Sequence, residues 1–486
     1  MKKSRQLVAL TVCFILIIFF FPVQAKSLLP QSLSAEEISH QLSTESKWLI
    51  YAIEREVYLS TINGKETTLL FENVGEEDKN IVRLNVSEDG KSILALLSDE
   101  EFFSLWLLKI DSKEQYNIAN QLTSSPLQTG ISKDGSLAKY SYDSKVWLYR
   151  SQTNELVNLG ESTYGINMSP DGKKIIFLQR EVVRGIRYNF LWKIDVDTNK
   201  KMQLSSEVDG IFWNPKFIYD NQTIITPNKT PAERYHSLWY YDYLSRTLTY
   251  LAGIEDQNIW LGIQSMQNNV IAFTTGKEFY SIIDYEIILL CGGQHEFASR
   301  FSLRISHDGK YLLYSNSDIP QHMAKTDGSF YIETSKLFDD EKLTQVNWYN
   351  HPPFPPLLEA KSKENGNLLT WSPPRQGTFD IAGYAIYRST VPDQPFVLID
   401  TLDNSDILEY LDEYVDPKAS YYYYICTVDE MGTESKPSNK VRLDYSSFLP
   451  KGALNGNDIK ARVSHHPYQR PSFGCDTGGI FSWITL

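Results

Sequence analysis

One unit recurs along this chain, and it limits the fold more than any other feature. Its fullest copy begins at Ile166-Asn167-Met168, turns at Ser169-Pro170-Asp171-Gly172, and continues through Lys174-Ile175-Ile176-Phe177. Leu191-Trp192-Lys193-Ile194-Asp195 and Lys201-Met202-Gln203-Leu204 complete it. The pattern reads as strand, tight turn, strand, strand, polar turn, strand. Asp-Gly suits the turn, because glycine takes positive φ without a Cβ clash and aspartate bonds back to the turn backbone. Ser87-Glu88-Asp89-Gly90, Ser132-Lys133-Asp134-Gly135 and Ser306-His307-Asp308-Gly309 repeat it, each before an apolar strand. Weaker copies carry Tyr219-Asp220-Asn221 with Leu238-Trp239, and Gln267-Asn268-Asn269 with Ile282-Ile283.

Four short strands in a period of about 40–45 residues make one blade of a β-propeller, which cannot bury its own faces and must stack on neighbours. The first copy, Lys47–Tyr51 with Glu56–Leu59, lacks an inner strand. Gln345-Val346-Asn347-Trp348, after the last full copy, is positioned to supply it from the far end of the domain. With that composite blade the count is seven, or six if the degenerate copy around Gln267 is not a blade. Trp106, Trp147, Trp192 and Trp239 recur at one strand position. They are expected between blades, where a bulky ring contributes most area.

The Ser-Pro-Asp-Gly turn before an apolar strand, followed by a Trp-bearing strand, resembles the TolB-like (WD-repeat-like) propeller repeats of bacterial envelope proteins. Only Ser169–Gly172 is a full match. The resemblance implies a fold and not an activity, since adaptors, enzymes and the propeller halves of serine peptidases share the repeat. The propeller is expected over residues 44–349.

Composition changes at His351-Pro352-Pro353-Phe354-Pro355-Pro356, so residues 350–356 read as a semi-rigid linker. Beyond it, Leu368–Trp371, Ile381–Arg388 and Tyr421–Asp429 alternate as strands. Tyr421, Tyr423 and Ile425 share one face by the two-residue period. Residues 357–445 resemble an immunoglobulin-like fibronectin type III β-sandwich. Trp371 falls on its second strand, Tyr384 and Tyr387 on its third, and Tyr421 at the tyrosine-corner position. Residues 446–486, rich in Gly, Asn, Ser, Pro and His, are expected to be a flexible tail. His465, His466 and Cys475 lie there without usable metal-ligand spacing.

The N-terminus fixes the compartment. Lys2, Lys3 and Arg5 precede an apolar run from Leu7 to Phe21, and Val23-Gln24-Ala25 offers small residues at a cleavage site. Residues 1–25 are therefore expected to be a signal peptide, sending the chain to the periplasm or exterior with no later membrane span. Its removal takes the net charge from −13 to −16. That balance disfavours nucleic acid, whose phosphates demand clustered Lys and Arg. Of the four cysteines, Cys291, Cys426 and Cys475 survive cleavage, and their spacing selects no disulfide or metal site.

No catalytic signature is evident. There is no Gly-x-Ser-x-Gly elbow. His295-Glu296 is followed by Ser299 where a zinc-peptidase helix would place a second histidine. Asp195, Asp197 and Asn199 open like a calcium loop, but Lys200 and Ser206 stand where that loop needs Gly and Glu, so a hairpin turn is expected. Catalytic, cofactor and metal residues are accordingly assigned to none of the chain. The expected function is an exported binding or scaffolding protein whose propeller engages another envelope or extracellular protein, or a glycan. The alternative is a propeller-based carbohydrate-active lyase or hydrolase with the sandwich as spacer.

Overall fold

In the computed structural model the described residues run from 45 to 444, interrupted by short stretches of which the longest are 230–236 and 293–300, with 37, 38 and 42 ahead of them. The leader at 1–25, the tail at 446–486 and the His295–Ser299 segment lie outside them.

The chain is all-β and forms many four-stranded antiparallel sheets in a β-propeller arrangement. Seven sheets lie between residues 48 and 349 among the described residues. Blade 1 comprises Trp48–Ile53, Glu56–Thr61 and Thr67–Phe71, with Thr344–Tyr349 on its inner edge. Trp48 pairs with Tyr349, Leu49 with Trp348 and Ile50 with Asn347, so the two ends of the propeller close one sheet as expected. The inner strands of blades 2, 3 and 4 are Asn80–Val86, Leu127–Ile131 and Tyr164–Met168. Those of blades 6 and 7 are Met266–Gln267 and Phe301–Ile305.

Blade 5 departs from the repeat. Its inner edge is split into Ile211–Phe212 and Lys216–Phe217, both pairing with Thr223–Lys229. Asn214 at φ +34 and Pro215, which has no N–H to donate, interrupt the ladder between them.

Packing shows that the sheets form a ring. Seven apolar clusters each join one blade to the next, from blade 1 against 2 through Ile50, Val57, Leu84 and Ile93, to blade 7 against 1 through Leu49, Tyr51, Leu313 and Met323. Fully burying one such side chain stabilises by roughly 1.5–3 kcal/mol, so the ring holds through its inter-blade faces. Ile38 and Leu42, upstream of residue 44, are buried in the closing cluster, and the short helix Thr334–Phe338 packs Leu337 and Phe338 against it. Trp106, Trp147 and Trp192 lie between blades but only half-buried. The completely buried neighbours are Leu105, Val146 and Leu191.

The repeated turn has one mechanism. Ser87, Ser132, Ser169 and Ser306 each accept, at Oγ, the backbone N–H five residues on at 2.9 Å. Each serine hydroxyl in turn donates to the aspartate two residues later. Gly90, Gly135, Gly172 and Gly309 take φ between +64 and +75, which an L side chain adopts only under strain.

After the propeller come two packed sheets. One is Leu358–Lys363, Gly366–Trp371 and Glu409–Asp412; the other is Val397–Leu402, Ile381–Ser389, Ser420–Asp429 and Val441–Asp444. Trp371, Tyr384, Tyr421, Tyr423 and Ile425 fill the space between them. The Tyr421 hydroxyl accepts the Asp416 N–H at 2.7 Å, tying the start of its strand to the preceding loop.

Candidate functional site

Polar groups of unusual character gather in two places, the seam between propeller and sandwich and the propeller axis. At the seam the segment 350–356 is docked, not extended into solvent. The His351 ring sits 4.5 Å from Trp48 and 4.5 Å from Phe354, and the Arg375 guanidinium covers both aromatic rings at 5.5 and 5.0 Å. Backbone bonds fix the layer: Phe354 N–H donates to Arg375 O at 3.1 Å, and Thr378 N–H to His351 O at 2.9 Å. Thr427 Oγ1 donates to Phe354 O at 2.8 Å. Gly377 is required here, since a Cβ would stand 2.3 Å from His351 O.

A cleft of about 350 Å³ opens beside this layer, lined on the propeller side by Lys47, His307, Asp308 and Trp348 and on the sandwich side by Phe379 and Glu430. His307 meets Phe379 edge-on at 4.2 Å. Burial lowers the His307 and His351 pKa values, so both rings are neutral near pH 7. Burial works to raise the Asp308 carboxyl, but the hydrogen bond and charge of Lys47, 2.6 Å away, outweigh it and hold the group below its ordinary value. The arrangement binds surfaces together.

Among the described residues no three His, Cys, Asp or Glu side chains converge as a metal site. Asp195 does not open a calcium loop: its carboxylate accepts the Thr198 N–H at 3.1 Å and the Thr198 hydroxyl at 3.0 Å within a hairpin turn. Cys426 is free and buried, its thiol pushed up to about 12 by burial and Glu434. Among the described residues no helix is long and apolar enough to cross a membrane.

The axis was not anticipated from sequence. Arg83, Lys139, Lys216 and Arg304 approach it from blades 2, 3, 5 and 7. The signal that could have exposed them is that the described inner strands carry Arg and Lys but no Asp or Glu.

No known family profile matches the chain. A stretch of 100 residues is 33% identical to the glycosyl hydrolase YngK of Bacillus subtilis, spanning 20% of this chain and 20% of that protein. The chain thus matches about a fifth of the relative's length. Among solved structures, TolB from Acinetobacter baumannii aligns at TM-score 0.35 and 13% identity, covering 63% of this chain and 67% of that one. An oligogalacturonate lyase from Vibrio parahaemolyticus gives 0.42 and 10% over 60% and 86%. The β-propeller domain of the Trilobed protease from Pyrococcus furiosus gives 0.41 and 12% over 58% and 92%. At TM-scores this low none of them bears on chemistry, and the ring rests on the strand pairing described above.

Proposed function

We propose that this chain is an exported binding or scaffolding protein of the bacterial cell envelope or exterior. Its seven-bladed, TolB-like propeller serves as a protein-interaction platform, with a fibronectin type III-like module held against it. One observation carries the reading: the Trp48–His351–Phe354–Arg375 layer fixes the sandwich on the propeller instead of leaving it on a tether. A fixed orientation serves a protein that presents two surfaces to one partner or assembly. A mere spacer has no use for it. The fibronectin-like assignment is supported by the three-plus-four strand arrangement and by the Tyr421–Asp416 bond, which has the geometry of a tyrosine corner.

The 33% identity over 100 residues to a glycosyl hydrolase favours a second reading, a propeller-based carbohydrate-active enzyme with the sandwich as spacer. The test uses the mature chain as bait, with chemical crosslinking to envelope extract, beside a Trp48→Ala bait with a loosened seam. A partner held by the first and lost by the second supports the platform. Cleavage of a glycan panel by the mature chain, with no partner captured, overturns it in favour of the enzyme.

A further inference from the structure

Blade 4 carries a longer hairpin than the blades before it. Its second and third strands, Lys174–Val183 and Ile186–Asp195, have ten residues each, where those of blades 1, 2 and 3 have six or seven. The inner strand pairs no further than Leu178, and the outer strand no further than Trp192. Leu191 O still accepts the Leu204 N–H at 2.8 Å. Beyond that point residues 179–183 and 186–190 pair with each other and, among the described residues, with no other strand. Five residues at about 3.4 Å each carry the tip roughly 17 Å past the four-stranded part of the blade.

Arg184 at φ +51 and Gly185 at φ +80 close the tip as a two-residue turn whose twist matches that of the strands. The register then sorts the side chains. Arg180 lies opposite Asn189 and Val182 opposite Arg187 on one face; Glu181 lies opposite Tyr188 and Val183 opposite Ile186 on the other. The arginine face continues the one on which Leu178 and Leu191 pack toward blade 5. Val182 is 64% exposed, and Arg180, Arg184 and Arg187 are exposed around it. Among the described residues neither Arg184 nor Arg187 makes a side-chain hydrogen bond or ion pair.

A two-stranded ribbon is marginal in water by itself, and its edges present unpaired N–H and C=O groups. This one is anchored at its base. Tyr188 stacks on Phe190 at 5.6 Å, Phe190 is only 4% exposed, and Asn189 Nδ2 donates to Phe212 O of blade 5 at 3.2 Å. Three of the four charged side chains in residues 179–190 are cations, in a chain with 60 acidic residues against 47 basic ones. Charge along an edge keeps a ribbon from pairing with copies of itself, since arginine would meet arginine. The same charge admits a strand of opposite sign.

We propose that the blade 4 ribbon is a docking edge for an extended acidic segment of a partner protein, which adds to it as a third strand. This rests on the platform reading and names a surface that the platform uses. Backbone pairing supplies affinity, and the side chains supply selection. Successive residues of an added strand alternate between the two faces. Carboxylates at every second position meet Arg180 or Arg187, and apolar residues between them meet Val183 or Tyr188. Arg184 at the apex adds a third cation, and guanidinium forks suit carboxylate oxygens. A polyanionic glycan offers the charge but has no amide ladder to pair.

The experiment is fluorescence anisotropy of a short capped peptide of alternating Glu and Val, titrated with the mature chain. Its controls are a peptide of alternating Lys and Val, one with the same Glu and Val grouped in two blocks, and polygalacturonate as competitor. We expect the alternating acidic peptide to bind tightest, to weaken as salt rises, and to slow amide exchange in residues 179–190. Arg184→Gln with Arg187→Gln should weaken it at least about threefold, two exposed ion pairs being lost. Both positions are exposed, so thermal unfolding of this variant should match that of the native chain. No binding at millimolar peptide overturns the proposal, as does binding unchanged in the double variant. Equal binding of the grouped or the Lys peptide, unaltered exchange in the ribbon, or displacement by polygalacturonate at equal charge overturns it as well. A partner captured alike by native and double-variant baits overturns the ribbon and leaves the platform standing, whereas capture of no partner removes the platform and the proposal with it.

Discussion

Leu49 and Trp348 are paired neighbours on one sheet although they come from opposite ends of the propeller sequence. This pairing turns a row of blades into a ring and removes two exposed sheet edges. The adjacent Ile50 is fully buried between blades 1 and 2. Ile50→Ala should cost about 2–5 kcal/mol, read as a lower urea midpoint. Leu69→Ala, on the partly exposed outer strand of the same blade, should cost under about 1 kcal/mol. Equal losses at the two positions would mean that closure does not hold the blade.

Two glycines with nearly the same φ separate backbone strain from crowding. Gly90 has φ +66, and a Cβ there would fall 2.3 Å from Asn350 O. Gly172 has φ +70 but meets nothing nearer than 3.5 Å. Gly172→Ala should cost about 1 kcal/mol, the strain of a left-handed residue. Gly90→Ala should cost at least about twice as much, since residue 350 must also move. Thermal unfolding of the two variants gives the comparison, and a Gly172 loss equal to that of Gly90 would refute it.

The legible features were those written in local chemistry. Ser-x-Asp-Gly bonds itself within five residues, so four blades could be read directly, and the closing strand followed from the missing one. Blades 5 and 6 carry no such staple, and the break at Asn214-Pro215 replaces a regular inner edge that the repeat would predict. The Pro-rich segment reads as a spacer because composition does not reveal that Trp48 lies opposite His351. The axial cations are invisible for the same reason. Arg83 and Arg304 meet only because the ring closes between them.

The half-buried histidines at the seam make stability depend on pH. Burial lowers the His351 pKa against Trp48 and Phe354, with Arg375 and Lys436 adding to the effect and Pro352 O and Glu66 opposing it. An unfolded histidine titrates near 6.5, so on acidification the unfolded chain takes up its proton first. The contribution is complete above about pH 6.5 and is lost as pH falls toward the depressed folded value. Urea midpoints should therefore drop between about pH 7.5 and 5.5, and His351→Gln should reduce that drop. An unchanged slope in the variant would assign the dependence elsewhere, His307 being the next candidate.

Two Arg–carboxylate pairs in this chain have similar chemistry and should differ sharply in worth. Arg375 spans both oxygens of Glu66 at 3.0 and 3.3 Å with both side chains more than half exposed. Water screens that pair, so Glu66→Gln should change stability by under about 1 kcal/mol. Arg388 contacts both oxygens of Asp412 at 3.0 and 2.8 Å, and the Asp412 side chain is only 2% exposed. The Tyr423 hydroxyl donates to the same carboxylate at 2.8 Å, and Asn367 donates to that hydroxyl at 2.9 Å. Arg388→Met would leave the carboxylate buried with hydrogen bonds but no counter-charge, at a cost of about 3–5 kcal/mol. Asp412→Asn with Arg388→Met should recover part of the loss, because the charge that needed compensation is gone. Denaturant unfolding of the single and double variants measures the coupling, and strictly additive losses would rule out the buried charge as the cause.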